Sequence, residues 1–283
     1  MTTILTSIET LREYVANVLT KNQTIGFVPT MGNLHRGHLS LVERAQAECD
    51  VVIVSIFVNP MQFGPNEDFS RYPRTFDADY QVLTAQKTDA VFLPKVEMLY
   101  PRGLEHHAFI EVPGLSDDLC GASRPGHFRG VCTIVFKLLQ LVSPDVVFLG
   151  EKDFQQLTLI RQMVEDLYLP VRVEGVATVR DAETGLALSS RNQYLTVEER
   201  SKPLLYPILC HARDRILAGE RNYDQIIKES LEKFHKAGLK PDYFEIRRQK
   251  DLRPAGIDDQ ALVILTAVQV GKARLIDNVK ATF

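Results

Sequence analysis

Two histidines lie three residues apart in a glycine-containing segment near the start of the chain, residues 29 to 38. An apolar run at residues 24 to 28 precedes the segment, and apolar residues at helical spacing follow it from Leu39. This pattern predicts a strand, a turn and a helix, with His35 and His38 on one helical face. Glycine turns and helix N-termini attract anions, and imidazoles there can donate hydrogen bonds to phosphate oxygens. Spacing alone leaves open a glycine turn with two surface histidines.

Two amides follow the apolar, β-branched run at residues 51 to 57, which predicts a central parallel strand. Because ligands of parallel sheets lie at the carboxyl ends of the strands, we expect this loop to share an edge with the histidine turn. Gln62 is suited to bind hydroxyls and carboxylates. Asn59 has the same chemistry, but its position before Pro60 favours a turn-shaping role.

Another predicted strand, residues 145 to 149, ends in Gly150-Glu151-Lys152-Asp153 before a predicted helix. The flexible, charged side chain of Lys152 could bind a phosphate, or it could simply be solvated. Asp153 is well placed as an N-cap, which alone would explain it.

Hydroxyls and an arginine adjoin one another at Ser189, Ser190 and Arg191, after a polar turn at residues 181 to 185. Together they can donate to phosphate oxygens from several directions. The irregular stretch from residue 100 to 130, which contains His127, could form a lid or a solvated rim, and the sequence leaves both open.

Two carboxylates, Asp77 and Asp79, lie in a segment predicted as helical from residue 69 to 86. The pattern favours an interaction with the helix dipole over a magnesium site.

Composition excludes several classes of protein. The chain has 283 residues, of which 45% are hydrophobic and 24% charged, and its net charge is -3. These values indicate a folded protein with no general attraction to nucleic acid or to anionic membranes. Four scattered cysteines form no C-x-x-C pair, and neither a secretion signal nor a bilayer-spanning run is present. We therefore expect a cytoplasmic location.

Alternating predicted strands and helices in the first part of the chain indicate an α/β fold with a parallel sheet. The strands are predicted at residues 24–28, 51–57, 90–93, 145–149 and 171–177, with helices at 7–20 and 131–142 among the connections. Beyond residue 196 the pattern changes to helices at 196–217 and 223–236, followed by strands at 242–248, 262–270 and 273–277. The sequence thus predicts a first domain over residues 1–180 and a smaller α+β domain over residues 181–283.

Several motifs in order resemble one enzyme family. Residues 29 to 38 resemble the H-x-G-H signature of nucleotidyl-transferring α/β enzymes that activate substrates with ATP. Six further blocks narrow the resemblance, and these are Val58-Asn59-Pro60 with Gln62-Phe63-Gly64-Pro65, Tyr72-Pro73-Arg74-Thr75, Arg124-Pro125-Gly126-His127-Phe128-Arg129-Gly130-Val131, Gly150-Glu151-Lys152-Asp153-Phe154-Gln155-Gln156, Leu188-Ser189-Ser190-Arg191-Asn192 and Arg274-Leu275-Ile276-Asp277-Asn278. Over essentially the whole chain, the sequence resembles the pantothenate synthetase (pantoate–β-alanine ligase) family.

This resemblance implies a Rossmann-like domain of the HIGH-type nucleotidyltransferases, which binds nucleotide and pantoate, and a C-terminal α+β domain that acts as a lid. The implied reaction condenses (R)-pantoate with β-alanine, using ATP, to give pantothenate, AMP and pyrophosphate through a pantoyl adenylate. The resemblance further implies Mg²⁺ with the nucleotide and a homodimer formed through the first domain.

The resemblance assigns ATP binding to four segments, whose residues are Met31, Gly32, Asn33, Leu34, His35, Arg36, Gly37, His38, Gly150, Glu151, Lys152, Asp153, Val179, Leu188, Ser189, Ser190 and Arg191. Among these, His35, His38 and Lys152 are expected to be catalytic, with His38 as proton donor. Asp153 is expected at the ribose and Val179 at the adenine.

The two glutamines complete the implied site. Gln62 and Gln156 are expected to bind pantoate, and Gln62 is expected to border β-alanine as well.

The chain departs from the family pattern at three places. Asn33 stands where alanine is common, Ala177 where proline is common, and the turn at residues 181 to 185 is one residue longer than usual. The last two differences lie on the approach to Val179 and to the serine segment.

Two other functions stay open at this point. One is a related nucleotidyltransferase that leaves the nucleotide on its product. The other is a nucleotide-responsive binding protein or an RNA-binding relative of the tRNA synthetases, although the negative charge weighs against RNA.

Overall fold

The computed structural model describes residues 1–65, 67, 69–201 and 205–283 of the chain. These residues form two compact units. The first comprises Met1–Glu151 and Leu159–Ala177, and the second comprises Lys152–Thr158 and Thr178–Phe283.

The first unit is built on a six-stranded parallel sheet. Its strands are β1 (Thr3–Leu5), β2 (Ile25–Thr30), β3 (Val51–Ile56), β4 (Ala90–Phe92), β5 (Val146–Gly150) and β6 (Arg172–Val176). They lie in the order β1-β4-β3-β2-β5-β6. After β2, the next strands β3 and β4 are added on one side of it. The later strands β5 and β6 are added on its other side. The order therefore reverses between β2 and β5, where parallel sheets bind ligands.

Burial explains why the central strands form. All six residues of β3 are buried, and Phe27 and Val28 of β2 are fully enclosed. Both faces of these strands are therefore covered, as the β-branched run predicts. The sequence did not reveal β1, a three-residue strand that pairs with β4.

Helices connect the strands of the sheet. They are α1 (Ile8–Leu19), α2 (Arg36–Gln46), α3 (Phe76–Ala85), α4 (Val96–Leu99), α5 (Cys120–Ser123), α6 (His127–Val142) and α7 (Phe154–Asp166). The predicted first helix is confirmed, and the Ser7 hydroxyl caps it by accepting from Thr10 N at 3.1 Å.

Two predicted helix boundaries in this unit were wrong. The helix predicted from residue 69 is a short 3₁₀ turn, Phe69–Arg71, followed by α3, because Pro73 disfavours helical geometry at Tyr72. Helix α6 begins at His127, four residues earlier than predicted, after Gly126 takes a left-handed conformation with φ 78°. His127 therefore lies in a helix and not in an irregular loop.

The second unit contains an antiparallel sheet in the order β7-β8-β9, formed by β7 (Lys240–Arg248), β8 (Ala261–Val270) and β9 (Ala273–Thr282). Its helices are α8 (Val197–Ser201), α9 (Tyr206–Leu217) and α10 (Tyr223–Lys236). Phe234 of α10 and Phe244 of β7 are buried together in its core. The helix predicted over residues 196–217 is thus two helices, and residues 202 to 204 lie outside the described residues. The predicted α/β sheet with a smaller α+β part is confirmed.

Candidate functional site

Three predicted site segments of the first unit follow neighbouring strands. The histidine turn follows β2, the loop with Gln62 follows β3, and Gly150 ends β5. Since β3, β2 and β5 are adjacent and parallel, their carboxyl ends lie at one edge of the sheet. The structure therefore brings these segments together, as the sequence predicts.

The two histidines cap helix α2 reciprocally. Gly37 N donates to His35 Nδ1 at 3.1 Å, and His35 N donates to His38 Nδ1 at 3.3 Å. Backbone N–H groups only donate, so each Nδ1 must be an unprotonated acceptor. The proton of each neutral ring is then on Nε2. The ring centres are 4.1 Å apart, so two Nε2–H donors lie side by side.

The backbone of the turn is engaged within the protein. His38 N donates to His35 O at 2.8 Å, and Gly37 N is bonded to His35 as described. These two amides at the start of α2 are therefore already bonded within the turn. Side chains rather than these amides are therefore available for an anion.

A buried carboxylate holds the turn from below. Asp79 is only 3% exposed, and its two oxygens accept from Asn33 N at 2.9 Å and Leu34 N at 2.7 Å. Thr75 Oγ1 donates to the same carboxylate at 3.1 Å. Asp79 therefore fixes the conformation of the turn, a role that sequence reasoning missed because its partners are 45 and 46 residues away.

Asn33 has a conformational role in the same turn. Its φ is 51°, in the left-handed region that asparagine tolerates better than alanine does. Gly32 before it has φ 81°. The asparagine thus suits this backbone.

Asn59 determines how Gln62 presents its amide. Asn59 Nδ2 donates to Gly130 O at 3.1 Å, and Asn59 Oδ1 accepts from Met61 N at 3.4 Å. These backbone partners act in one direction only, so they fix which end of the Asn59 amide is nitrogen. Asn59 Nδ2 also lies 3.2 Å from Gln62 Oε1, to which it donates. Gln62 Nε2 is consequently its outer group, where it lies 3.0 Å from Met31 Sδ.

Tyr100 completes this arrangement. Its hydroxyl donates to Asn59 Oδ1 at 2.8 Å, and burial raises the pKa of Tyr100, so the hydroxyl keeps its proton. Asn59 is only 1% exposed. The sequence assigned Asn59 to turn shaping, and it does cap the 3₁₀ turn Pro60–Gln62, but it also orients Gln62.

The start of α6 anchors the backbone of Gln62. His127 Nδ1 lies 2.8 Å from Gln62 O, to which it donates, and Arg124 Nη2 donates to the same oxygen at 3.2 Å. Arg124 also binds both carboxylate oxygens of Glu67, at 2.7 and 2.5 Å. Gly130 packs so tightly that an added Cβ would lie 2.5 Å from Met61 O. His127 and Arg124 are therefore anchors of the Gln62 loop and not a solvated rim.

Lys152, Asp153 and Gln156 lie in the second unit. Lys152 Nζ is 3.6 Å from Asp153 Oδ1, and the Lys152 side chain is 18% exposed. Lys152 O accepts from Asn278 Nδ2 at 3.0 Å. Gln156 is half-buried. The structure thus places Lys152 within a hydrogen-bonded set, so simple solvation does not describe it.

A hairpin of the second unit carries the remaining predicted residues. Leu188 N donates to Val179 O at 3.0 Å, which brings the two ends of the hairpin together. Ser189 Oγ accepts from Arg191 N at 3.2 Å and caps the 3₁₀ turn Ser190–Tyr194. Val179, Leu188 and residues 189 to 191 are therefore neighbours in this hairpin.

No group of three or more His, Cys, Asp or Glu side chains in the described ranges could hold a metal ion. Likewise, none of the helices seen in those ranges is long and apolar enough to cross a membrane.

The fold and the histidine turn define a Rossmann-like α/β enzyme with an H-x-G-H turn at the reversal of its strand order. A family model described as pantoate-beta-alanine ligase matches residues 3–280. The chain belongs to this family of ligases.

Relatives and solved structures agree with this assignment. A pantothenate synthetase of Shewanella baltica is 51% identical and aligns over 96% of this chain and 97% of its own length. One of Nitrosococcus oceani is 52% identical over 98% and 97% of the two chains. A crystal structure of the Thermus thermophilus enzyme has a TM-score of 0.90 at 41% identity, with 98% of both chains covered.

A further structure carries ligands. It is the Francisella tularensis pantoate-beta-alanine ligase complexed with Beta-gamma ATP and Beta-alanine. Its TM-score is 0.78 at 38% identity, and the match covers 99% of this chain and 97% of that one.

Proposed function

We propose that this chain condenses (R)-pantoate with β-alanine through a pantoyl adenylate, at the residues described above. Membership of the ligase family supports the ATP-dependent condensation. The observation that carries the assignment of residues is the reciprocal cap of His35 and His38, which presents two Nε2–H donors where the strand order reverses.

In the first step, a pantoate carboxylate oxygen attacks the α-phosphorus of ATP, and the bond from that phosphorus to the bridging oxygen breaks. Pyrophosphate leaves with the electron pair and gains negative charge. His35 and His38 donate from Nε2 to this developing charge, and His38 is the proton donor. Because the Nδ1 atoms are held by backbone amides, the rings need no reorganisation as the bond breaks.

Pantoate is an anion with two hydroxyls, and Gln62 suits it as a donor. Asn59 directs the Gln62 Nε2 group outward, so the group can donate to a carboxylate or a hydroxyl oxygen. In this proposal Gln156 supplies the second amide. Gln62 also borders β-alanine.

In this proposal, different residues bind the phosphates, the ribose and the adenine of the nucleotide. Lys152 follows the phosphates, and Asp153 accepts from the ribose hydroxyls. Val179 meets the adenine through its backbone. Ser189, Ser190 and Arg191 donate to the phosphates. Met31 to Leu34, Arg36 and Gly37 surround the phosphates from the histidine turn, and Gly150 and Glu151 adjoin Lys152 in the chain.

In the second step, the amine of β-alanine attacks the carbonyl carbon of the adenylate. The bond from that carbon to the AMP oxygen breaks, so AMP leaves with an oxygen that came from pantoate. The amine loses a proton as the amide forms.

Magnesium enters as a partner of ATP rather than as a resident ion in this proposal. Both oxygens of Asp79 already accept from the backbone of the turn, while Asp77 is exposed on the first turn of α3. The residues of the turn therefore do not fit a protein-held metal site, and no step is assigned to the ion.

A homodimer in the cytoplasm is the second part of the proposal. It rests on family resemblance. Sedimentation equilibrium giving twice the mass of one chain would support the dimer, and the mass of a single chain would contradict it.

Omission of single substrates tests the reaction. Purified protein with ATP and pantoate should release pyrophosphate. Free AMP should accumulate over many turnovers only when β-alanine is also added. A nucleotidyltransferase that leaves the nucleotide on its product would give AMP-bearing product with no need for an amine. ATP binding without pyrophosphate release in the presence of pantoate would indicate a nucleotide-responsive binding protein, and the proposal would fail.

A further inference from the structure

A half-buried arginine in the second unit joins several segments, although the sequence assigned it no role. Arg180 Nη1 and Nη2 donate to the two Asp277 oxygens at 2.7 and 2.8 Å. Arg180 also donates to Gly185 O at 3.1 Å and Asn278 O at 2.9 Å. Its guanidinium lies 4.0 Å from the centre of the Tyr206 ring. Since the Arg180 and Asp277 side chains are only 16% and 3% exposed, this planar pair has a fixed geometry.

Arg180 lies in the hairpin that carries predicted nucleotide-binding residues. It directly follows Val179 and pairs with Ala187, and Leu188 N is bonded to Val179 O. Asn192 Nδ2 donates to Ala187 O at 3.0 Å, which ties the end of the serine segment to the same hairpin. The position of Arg180 thus determines where both ends of the hairpin lie.

The turn of the hairpin shows how closely it is packed. Gly185 has φ 72°, and an added Cβ there would lie 2.5 Å from Tyr206 Cδ1. The Arg180 guanidinium lies over the same Tyr206 ring and donates to Gly185 O. The turn has no room to shift toward α9.

Asp277 and Asn278 extend the arrangement to Lys152. Asp277 Oδ1 accepts from Asn278 N at 2.7 Å, which fixes the Asn278 backbone. Asn278 Nδ2 then donates to Lys152 O at 3.0 Å. One ion pair on β9 is therefore connected both to the hairpin and to the backbone of Lys152.

We infer that Arg180, Asp277 and Asn278 are positioning residues for ATP, because they hold Lys152 and residues 188 to 191 in one fixed arrangement. The inference rests on the proposed function, which assigns those residues to the nucleotide. The three residues act through Lys152 and the hairpin, and they take no part in the bonds that form and break.

A matched pair of substitutions tests the inference. Arg180→Lys keeps the charge but loses the planar set of donors. Arg274→Lys makes the same change at an ion pair with Asp242, 2.6 Å long, and Arg274 lies on β9 as Asp277 does. For Arg180→Lys we expect the KM for ATP to rise about tenfold or more and pyrophosphate release to slow. The KM for β-alanine should change by less than about twofold. For Arg274→Lys, the KM for ATP, the KM for β-alanine and the rate of pyrophosphate release should all stay within about twofold of the wild-type values.

Asn278→Ala provides a second variant that leaves the buried ion pair in place. It removes the side-chain bond to Lys152 O while the backbone bond of Asn278 O to Arg180 is kept, and it should also raise the KM for ATP selectively. A loss of folded protein would instead lower kcat and leave both KM values unchanged.

Hydrogen exchange gives a readout independent of activity. The amides of residues 187 to 191 should exchange faster in Arg180→Lys than in the wild type or Arg274→Lys. If Arg180→Lys and Asn278→Ala match Arg274→Lys in KM for ATP and in exchange, the inference is overturned. If the wild type releases no pyrophosphate from ATP and pantoate, the proposed function fails instead, so the two failures are distinguishable.

Discussion

At the level of single residues, the proposed chemistry depends on which atoms carry protons. Backbone amides occupy Nδ1 of His35 and His38, and this fixes both rings as Nε2 donors when neutral. Backbone partners in the same way fix the Asn59 amide, which directs Gln62 Nε2 outward. Backbone N–H groups can only donate and backbone carbonyls can only accept, so they determine which side-chain atoms at the site are hydrogen-bond donors.

Removing one imidazole should slow adenylation. His38→Ala deletes a donor to the leaving pyrophosphate, so we expect the rate of pyrophosphate release to fall by roughly two to four orders of magnitude. Single-turnover measurements with ATP and pantoate check this. His235→Ala, at an exposed position of α10, should leave the rate unchanged. A near-wild-type rate for a folded His38→Ala would remove His38 from the chemistry.

Removing one hydroxyl should weaken the binding of pantoate. Tyr100→Phe removes the 2.8 Å bond to Asn59 Oδ1 and leaves it only the longer 3.4 Å bond from Met61 N, so the Asn59 and Gln62 amides are held less firmly. We expect the KM for pantoate to rise about tenfold, which corresponds to about 1.4 kcal/mol. Steady-state kinetics measure it, with Tyr80→Phe as control because Tyr80 donates to Thr2 O. Equal KM values for the two variants would refute the role of Tyr100.

At the level of elements, helix α6 sets the position of the Gln62 loop. His127 and Arg124 hold Gln62 O, and Gly130 lets the helix touch the backbone of residues 61 and 62. The sequence motif around these residues predicted a functional loop, whereas the structure shows the start of a helix. The contact pairs lie 62 and 65 residues apart, which explains why no local pattern revealed them.

A methyl group at Gly130 should displace that loop. Its Cβ would lie 2.5 Å from Met61 O and 2.8 Å from Gln62 N. We expect Gly130→Ala to cost about 1–3 kcal/mol of unfolding free energy and to raise the KM for pantoate. Denaturant unfolding and kinetics measure the two effects. Gly64→Ala is the control because its nearest contact would be 3.7 Å away, and a stabilised Gly130→Ala, as helix propensity alone predicts, would contradict the packing.

The ion pair of Glu67 should make this loop sensitive to acid. Burial raises the pKa of Glu67, but hydrogen bonds from Arg124 and the charges of Arg124 and His127 outweigh burial, so the pKa lies below its ordinary 4.5. A lowered pKa stabilises the fold above the unfolded-state value, and this contribution is lost as pH falls through the folded-state value.

A comparison with a variant measures that contribution. The Tm difference between wild type and Glu67→Gln should be largest near pH 7 and shrink as pH falls below about 4.5. Glu229→Gln, which breaks a more exposed pair with Arg215, should show a smaller difference throughout. A Glu67→Gln difference that does not change with pH would contradict the electrostatic explanation.

At the level of the whole molecule, the fold was largely predictable from the sequence. Long apolar runs such as β3 and the change of pattern near residue 196 gave the parallel sheet and the smaller α+β part. The short strand β1 was not predictable from periodicity, because three residues are too few to show a period. The start of α3 was not predictable either, because Pro73 interrupts the helical pattern before it.

The candidate site was predictable only where its residues follow strand ends. Met31 to His38, Gln62 and Gly150 belong to this class, since topology places them together. Asp79, Tyr100 and Arg180 were missed because each acts through a partner distant in sequence. Family resemblance named Lys152 and Ser189, and the structure then showed what holds them.

Isotope transfer tests the central claim, attack of pantoate on ATP, most directly. Pantoate labelled with ¹⁸O in its carboxylate is incubated with ATP, β-alanine and the protein, and the AMP formed is examined by mass spectrometry. The proposed adenylate predicts one ¹⁸O atom in each AMP, because AMP leaves with the oxygen that attacked phosphorus. AMP without label, formed together with pantothenate, would contradict the account.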